Sequence, residues 1–187
     1  MTTPALIIIT GMPGSGKTAL SQRIAERVKM PLIAKDTIKE LLFDTLGWSD
    51  REWSKKLGIA TYELMDYFAQ QQLQNGCSLI LESNFKPEFD SAKFQKWKNA
   101  YGCDIIQIVL HADPEILVQR FMEHAESGER HPGHADMDNK AEWKKFFADP
   151  QNAARPLDVE SKIKIVDTSD FSKVDFEEIV EFAIIHS

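Results

Sequence analysis

Eight residues near the start of the chain combine the side-chain types and the spacing that phosphate chemistry requires. The stretch Gly11 to Thr18 reads GMPGSGKT and fits the pattern G-x-x-x-x-G-K-[ST] at every fixed position. Gly11, Gly14 and Gly16 let the backbone take conformations closed to other residues. With Pro13 and Ser15 they form a loop whose N–H groups can turn inward on phosphate oxygens. Lys17 is then placed to reach the β- and γ-phosphates of a nucleoside triphosphate, and the Thr18 hydroxyl to ligate Mg²⁺. The flanks agree with this use. Leu6 to Thr10 is a short run rich in β-branched residues, as in a buried strand, and Leu20, Ile24 and Val28 recur every four residues, as on one face of a helix. A helix beginning behind the loop adds free N–H groups and the positive end of its dipole.

The rest of the chain must bring an acceptor to that loop. Met30 to Ala34 reads as a short second strand, followed by Lys35-Asp36-Thr37, where Asp36 suits the cap of a helix starting at Ile38. Leu41, Leu42 and Leu46 give that helix an apolar side, and Gly47 stops it. Trp53, Leu57, Ala60, Leu64 and Phe68 predict a long helix up to Gly76, capped by Ser49 or Asp50. Ser78 to Leu81 is a third strand running into Glu82-Ser83-Asn84-Phe85, and a helix over residues 88–101 follows, closed by Gly102. Ile105 to Leu110 is a fourth strand. Pro114 opens a helix that buries Leu117 and Phe121 and carries Arg120 on a neighbouring face. Residues 127–139 read SGERHPGHADMDN, a polar stretch with Gly and Pro that suits either a lid or a surface loop. Helical spacing resumes from Lys140 to Phe147, Ile163 to Val166 is the last strand, and Phe176, Ile179, Val180 and Ala183 line a C-terminal helix. Strands alternating with helices predict an α/β fold, a parallel sheet with helices on both faces, in one domain spanning 1–187 with a small lid at 127–139.

Composition narrows the function. The 187 residues are 43% hydrophobic and 27% charged, ordinary for a soluble protein, and the net charge of -7 disfavours broad nucleic-acid binding. Met1-Thr2-Thr3-Pro4 lacks a basic leader and no apolar run is long enough to span a membrane, which makes a cytoplasmic location the expectation. Cys77 and Cys103 each follow a glycine at the start of a strand and read as reduced thiols. His131 and His134 fall short of a zinc set, and solvent exposure is the plain expectation for both. Asn139-Lys140-Ala141-Glu142 approaches the guanine-reading NKxD but ends in Glu after a loop, and reads as a helix start.

With the loop, its flanks and the strand ends in view, the chain resembles the P-loop kinases of the small-molecule phosphotransferase type. This group holds the chloramphenicol phosphotransferases, zeta toxins, the polynucleotide kinase 5'-hydroxyl domain and, more distantly, shikimate and adenylate kinases. The resemblance implies a five-stranded parallel sheet in the order 2-3-1-4-5. It implies ATP and Mg²⁺ as cofactors, with Gly11, Pro13, Gly14, Ser15, Gly16, Lys17 and Thr18 around the phosphates. In that group an Asp after the second strand accepts the proton of the acceptor hydroxyl or orients it, an acidic residue often ends the third strand, and arginines line a lid after the fourth. Asp36, Glu82, and Arg120 with Arg130 fill these slots. Glu82 then serves either a Mg²⁺-bound water or the acceptor, with Asn84 beside it, and Arg120 packs on adenine or approaches the phosphates. Capping for Asp36 and ion pairs with Glu123 or Glu126 for the arginines are the alternatives. Trp48, Trp53, Tyr62 and Tyr67 around the long helix are expected in the acceptor-pocket wall. The function implied is transfer of the γ-phosphate to a hydroxyl of a small molecule, against a 5'-hydroxyl polynucleotide kinase and against an NTPase switch or nucleotide-binding protein without an acceptor.

Overall fold

The apolar run that ends in the glycine loop is the middle strand of a five-stranded parallel sheet. The computed structural model describes residues 3–135 and 140–186. β1 (Ala5–Gly11) is buried along its whole length. It lies between β3 (Leu79–Ser83) and β4 (Asp104–His111), with β2 (Leu32–Ala34) and β5 (Lys162–Asp167) at the edges, in the order β2-β3-β1-β4-β5. This is the expected order. Every neighbouring pair is parallel, so helices must carry the chain back across the faces.

Alternation along β1 divides the core in two. Leu6 and Ile8 face a cluster completed by Met65, Ala69 and Leu73 of α3 (Arg51–Gln74) and by Phe94 and Trp97 of α4 (Pro87–Tyr101). Ala5, Ile7 and Ile9 face the other side, where Leu20 and Ile24 of α1 (Lys17–Val28) meet Ile179, Val180 and Ala183 of α7 (Phe176–Ile185). A third cluster joins Met12 beside the loop to Leu117 and Phe121 of α5 (Pro114–Glu126) and Phe147 of α6 (Lys140–Ala148).

Register sets the site. Glu82 of β3 stands beside Ile9 of β1 on one side and Ala34 of β2 on the other. The carboxyl ends of three adjacent strands therefore release the glycine loop, residues 82–84 and α2 (Lys35–Leu46) at one edge, where ligands of open α/β sheets bind.

Several local expectations are corrected. Asp36 does not cap α2: the helix starts at Lys35 directly after β2, with Ala34 at the cap position and no side-chain cap bond. Leu41 and Leu46 are exposed, and α2 instead buries Phe43 and Lys39. In α3 the buried stripe runs Ser54, Leu57, Thr61, Met65, Ala69 and Leu73, while Ala60 and Phe68 of the expected stripe are exposed. Asp50 does cap α3, accepting from the Trp53 amide at 2.9 Å. Cys103 is buried just before β4, whereas Cys77 is exposed ahead of β3, and both are free thiols. The last four residues of the 127–139 loop, including Asn139, lie outside the described residues.

One buried polar side chain ties the return to β5 onto the sheet. Gln107, wholly buried in β4, donates from Nε2 to the Leu157 carbonyl (3.1 Å) and to Ser161 Oγ (2.7 Å), and its Oε1 accepts from the Leu157 amide at 2.7 Å. Gln107→Leu leaves the Leu157 N–H and C=O unpaired, and is expected to lower unfolding stability by roughly 2–4 kcal/mol. Urea titration checks this as a lower midpoint at unchanged slope.

Candidate active site

The glycine loop has the backbone its sequence requires. Gly14 and Gly16 have φ of 79° and 84°, and Gly16 stands at the N-cap of α1. Both are also closely packed: a Cβ at Gly14 would lie 2.9 Å from the Leu117 carbonyl, and one at Gly16 would lie 2.7 Å from the Phe171 ring. The Ser15 amide donates to the Met12 carbonyl at 3.2 Å, and the Lys17 ammonium donates to the same oxygen at 3.1 Å. Burial pulls the Lys17 pKa below its ordinary value, against the opposing charges of Glu82 and Asp36.

Glu82 is 3% exposed, and its Oε2 accepts from Thr18 Oγ1 at 3.3 Å. Burial raises its pKa, with Lys17 working the other way. Two hard oxygens of different charge thus face each other where α1 begins, the donor chemistry that Mg²⁺ takes. Among the described residues no group of three or more His, Cys, Asp and Glu side chains could hold a metal ion. Asn84 faces the same edge, its Oδ1 accepting from Tyr62 Oη at 3.2 Å, while Tyr62 also bonds Ser83 Oγ at 2.8 Å.

Asp36, in the first turn of α2, is the centre of the charge network. Its Oδ1 accepts from Lys35 Nζ at 3.0 Å and its Oδ2 from Arg130 Nη1 at 3.5 Å. Burial alone would raise its pKa, but Lys35 and Arg130 outweigh that and hold the carboxyl well below the usual range. Lys35 moves the opposite way: burial would lower its pKa, and Asp36 more than offsets it. The two cations thus favour the ionised form of Asp36.

The two arginines part company. Arg120 donates to the carbonyls of Thr168 (2.7 Å) and Ser169 (2.9 Å), and its guanidinium lies 4.0 Å from the centroid of the Phe171 ring. It is tethered to the loop after β5. Arg130 reaches Asp36, and its guanidinium carbon is 5.8 Å from the Phe121 ring centroid. Both line, with Lys17, Thr18, Asp36, Glu82 and Asn84, one cleft of about 820 Å³.

Of the aromatic residues expected in the acceptor wall, Trp48 and Tyr67 are largely exposed, and Trp48, Trp53, Tyr62 and Tyr67 are not among the cleft-lining residues. α3 contributes Arg51, Ser54 and Lys55 instead, and the aromatic lining comes from Phe121, Trp143, Phe146 and Phe171. The stripe of α3 is turned by one residue relative to the spacing of its large apolar side chains, which leaves Tyr67 exposed, while Tyr62 packs against the core and bonds Ser83 and Asn84. Lys35, Lys39 and Phe171 were missed in the sequence. Lys35 was findable, because a strand end that delivers an Asp also delivers the residue before it.

His134 is buried and His131 only partly exposed, so neither is the free surface side chain expected. A 3₁₀ turn, Pro132–His134, docks on α2. The His131 ring stacks on Phe43 at 5.0 Å and its Nε2 is 3.2 Å from Asp44 Oδ1, while His134 Nε2 is 2.9 Å from Glu40 Oε1. Gly133 lies flat against Phe43, where a Cβ would be 2.7 Å from the ring.

A family model described as an AAA domain matches residues 6–150, from β1 through the loop and the cleft-lining helices. The chain belongs to this AAA domain family. It is similar over 100% of its length, and 100% of the other's, to a crystal structure from Chloroflexus aurantiacus J-10-fl named as a "putative kinase", with 38% identity and a TM-score of 0.92. It is also similar to a shikimate kinase of Enterococcus faecalis (strain ATCC 700802 / V583), 28% identical over 126 residues, which are 65% of this chain and 67% of that one. A gluconokinase from Sinorhizobium meliloti 1021 shares the fold at a TM-score of 0.55 and 18% identity, with 100% and 93% of the two chains covered. This AAA domain chain thus has a kinase-like P-loop fold. Among the described residues no helix is long and apolar enough to cross a membrane.

In this AAA domain chain the docked turn carries its own pH dependence. Burial lowers the His134 pKa to about 3, with Arg130, Lys39 and Lys35 adding to the shift and Asp36 opposing it. The folded value is below the unfolded one, so between them the unfolded chain binds the extra proton and stability falls as pH drops through the ordinary histidine range. Wild type is expected to lose stability from pH 7 to pH 5 at up to about 1.4 kcal/mol per pH unit from this one group. Thermal unfolding of His134→Gln, compared at the same pH values, is expected to give a flatter profile.

Proposed function

We propose that this chain is an ATP- and Mg²⁺-dependent kinase that transfers the γ-phosphate to a hydroxyl of a small-molecule acceptor. In this reading residues 1–187 form a single kinase domain of the small-molecule phosphotransferase type, to which the chloramphenicol phosphotransferases and zeta toxins belong, and residues 127–139 are its lid. The observation that carries the reading is the position of Asp36, ionised and held by Lys35 and Arg130 in the same cleft as the Lys17 ammonium and the loop. A protein that only hydrolyses or binds a nucleotide has no use for an acceptor-facing carboxylate at that point. The similarity to chains named as kinases supports the same choice.

The donor half uses the loop amides and Lys17 for the phosphates, with Arg120 and Phe171 at the far side of the loop. Thr18 would hold Mg²⁺ directly and Glu82 through a water, their oxygens lying 3.3 Å apart. When bound, the ion neutralises charge on the β- and γ-phosphate oxygens. Asp36 accepts a hydrogen bond from the acceptor hydroxyl and aligns its oxygen with the γ-phosphorus. The new O–P bond forms as the bond to the β-phosphate oxygen breaks, ADP leaves, and the hydroxyl proton passes to Asp36 only as the alcohol oxygen loses electron density. A carboxylate held so acidic is a weak base in the free protein. Incoming phosphates compete for Lys35 and Arg130, and that competition returns basicity to Asp36 as the site fills. Arg130 then lies between the acceptor and the transferred group, where an arginine stabilises transition-state charge.

ADP formation with ATP and Mg²⁺, measured with and without a mixed panel of hydroxyl compounds, tests the assignment. Acceptor-dependent turnover is expected. Acceptor-independent hydrolysis would instead identify a switch, and silence a binding module. Asp36→Asn is expected to keep nucleotide affinity while lowering acceptor-dependent turnover by about 10² to 10⁴. Arg130→Ala is expected to lower kcat with little change in nucleotide binding.

A further inference from the structure

The two edges of the sheet are finished differently. β2 is three residues long and follows Pro31, which has no N–H to offer, so that edge is blunt. β5 runs for six residues without Pro or Gly, in unbroken register on β4, and among the described residues no strand lies on its outer side. The Thr168 amide donates inward to the His111 carbonyl at 2.8 Å. Alternation back along the strand therefore turns the N–H and C=O groups of Ile163, Ile165 and Asp167 outward. Such a row is a ready template for another strand.

The side chains at this edge are apolar where protection is expected. Ile163 and Ile165 stand in register with Gln107 and Val109 of β4, on the face that α3 and α4 cover. That cover stops short of β5: Gln107 and Val109 are buried, whereas Ile163 and Ile165 are 45% and 59% exposed. Lysine is a usual guard of a sheet edge, but Lys164 is drawn away from it. Its ammonium donates to Glu178 Oε1 of α7 at 2.7 Å and lies 5.7 Å from the Phe182 ring centroid. Glu178, Phe182 and Ile185 share one side of α7, so that side looks onto β5, and Ile185 is exposed there.

We propose that β5 is the seam of a homodimer, in which a second copy of this chain adds its own β5 antiparallel across a two-fold axis through Ile165. The partner is a copy because the strand is complementary to itself. Lys162 stands at its start and Asp167 at its end, so antiparallel pairing lays each basic end beside an acidic one. The same charges choose the register. An axis through Lys164 sets two lysines directly opposite each other, and one through Ile163 sets Lys162 opposite Lys164; both arrangements are destabilising. An axis through Ile165 sets that residue against its own copy, Ile163 against Asp167, and Lys164 against Val166. The two sheets then continue as one, and the Ile185 sides of the two α7 helices face the seam. No residue of β5 lines the cleft, so the dimer stands apart from the kinase reading.

Sedimentation equilibrium of the full chain from about 1 μM to 1 mM tests the seam. Wild type is expected to pass from the 21.3 kDa of one chain to twice that mass as concentration rises. Ile165→Lys, which places two ammonium groups across the axis, is expected to stay at the mass of one chain throughout. Ile165→Val, which keeps a β-branched apolar side chain there, is expected to dimerise within about threefold of wild type. Amide hydrogen exchange then locates the contact. In wild type the amides of Ile163, Ile165 and Asp167 are expected to slow about tenfold or more toward the top of the concentration range, with no such effect in Ile165→Lys. The wild-type exchange also decides the matter by itself if Ile165→Lys does not fold. A wild type that stays at the mass of one chain at every concentration overturns the proposal. So does a dimer that Ile165→Lys forms equally well, or one whose β5 amides exchange at the same rate at every concentration.

Discussion

Charge balance at the carboxyl edge of the sheet is the constraint on which the site depends. Lys17, Glu82, Asp36, Lys35 and Arg130 stand close enough that each shifts the ionisation of at least one other. Unpaired, any of them would cost several kcal/mol on removal from water. Together they are affordable, because Asp36 lies between two cations and Glu82 between Lys17 and the Thr18 hydroxyl. In the proposed kinase reading the phosphates of a nucleotide join this network. On that reading the charges stand in place before the ligand arrives, the condition for electrostatic stabilisation without reorganisation.

That balance requires a rigid frame, which register supplies. Ala34, Glu82 and Ile9 stand side by side on three strands, so Asp36, Asn84 and the loop leave the sheet within a few residues of one another. Close packing locks the loop: α5 leaves no room for a side chain at Gly14, and Phe171 leaves none at Gly16. Arg120 then ties α5 to the carbonyls after β5, and the same guanidinium covers the ring that covers Gly16. On the α2 side the Pro132–His134 turn is laid on Phe43 through Gly133, which holds Arg130 within reach of Asp36.

Much of this was readable before any coordinates. The loop, the strand before it and the helix after it are dictated by local geometry, since only glycine accepts those dihedrals and only a short β-branched run suits a strand buried on both faces. The strand order agrees with the expectation from resemblance, and Lys17, Thr18, Asp36, Glu82, Asn84, Arg120 and Arg130 line one cleft. The helical stripes were less legible. Large apolar residues such as Leu41 and Phe68 suggested faces that the fold leaves in solvent, while Lys39, Ser54 and Thr61 are buried. Apolar spacing reports a helix, but its rotation about its own axis is decided by what it packs against, and α2 and α3 pack partly on a polar cleft.

The sequence by itself determined the glycine loop, because GMPGSGKT needs nothing beyond its neighbours to take its shape. It determined the alternating order of strands and helices too, and with that the edge at which the cradle opens. Only the tertiary structure decided the partners of the ionisable groups. Asp36 is 94 residues from Arg130, and Ser54 is 80 from His134, yet these pairs set the charge and the wall of the cleft beside α2. The energy of a charge depends on the distance to every other charge and on the water excluded between them, and folding alone fixes both.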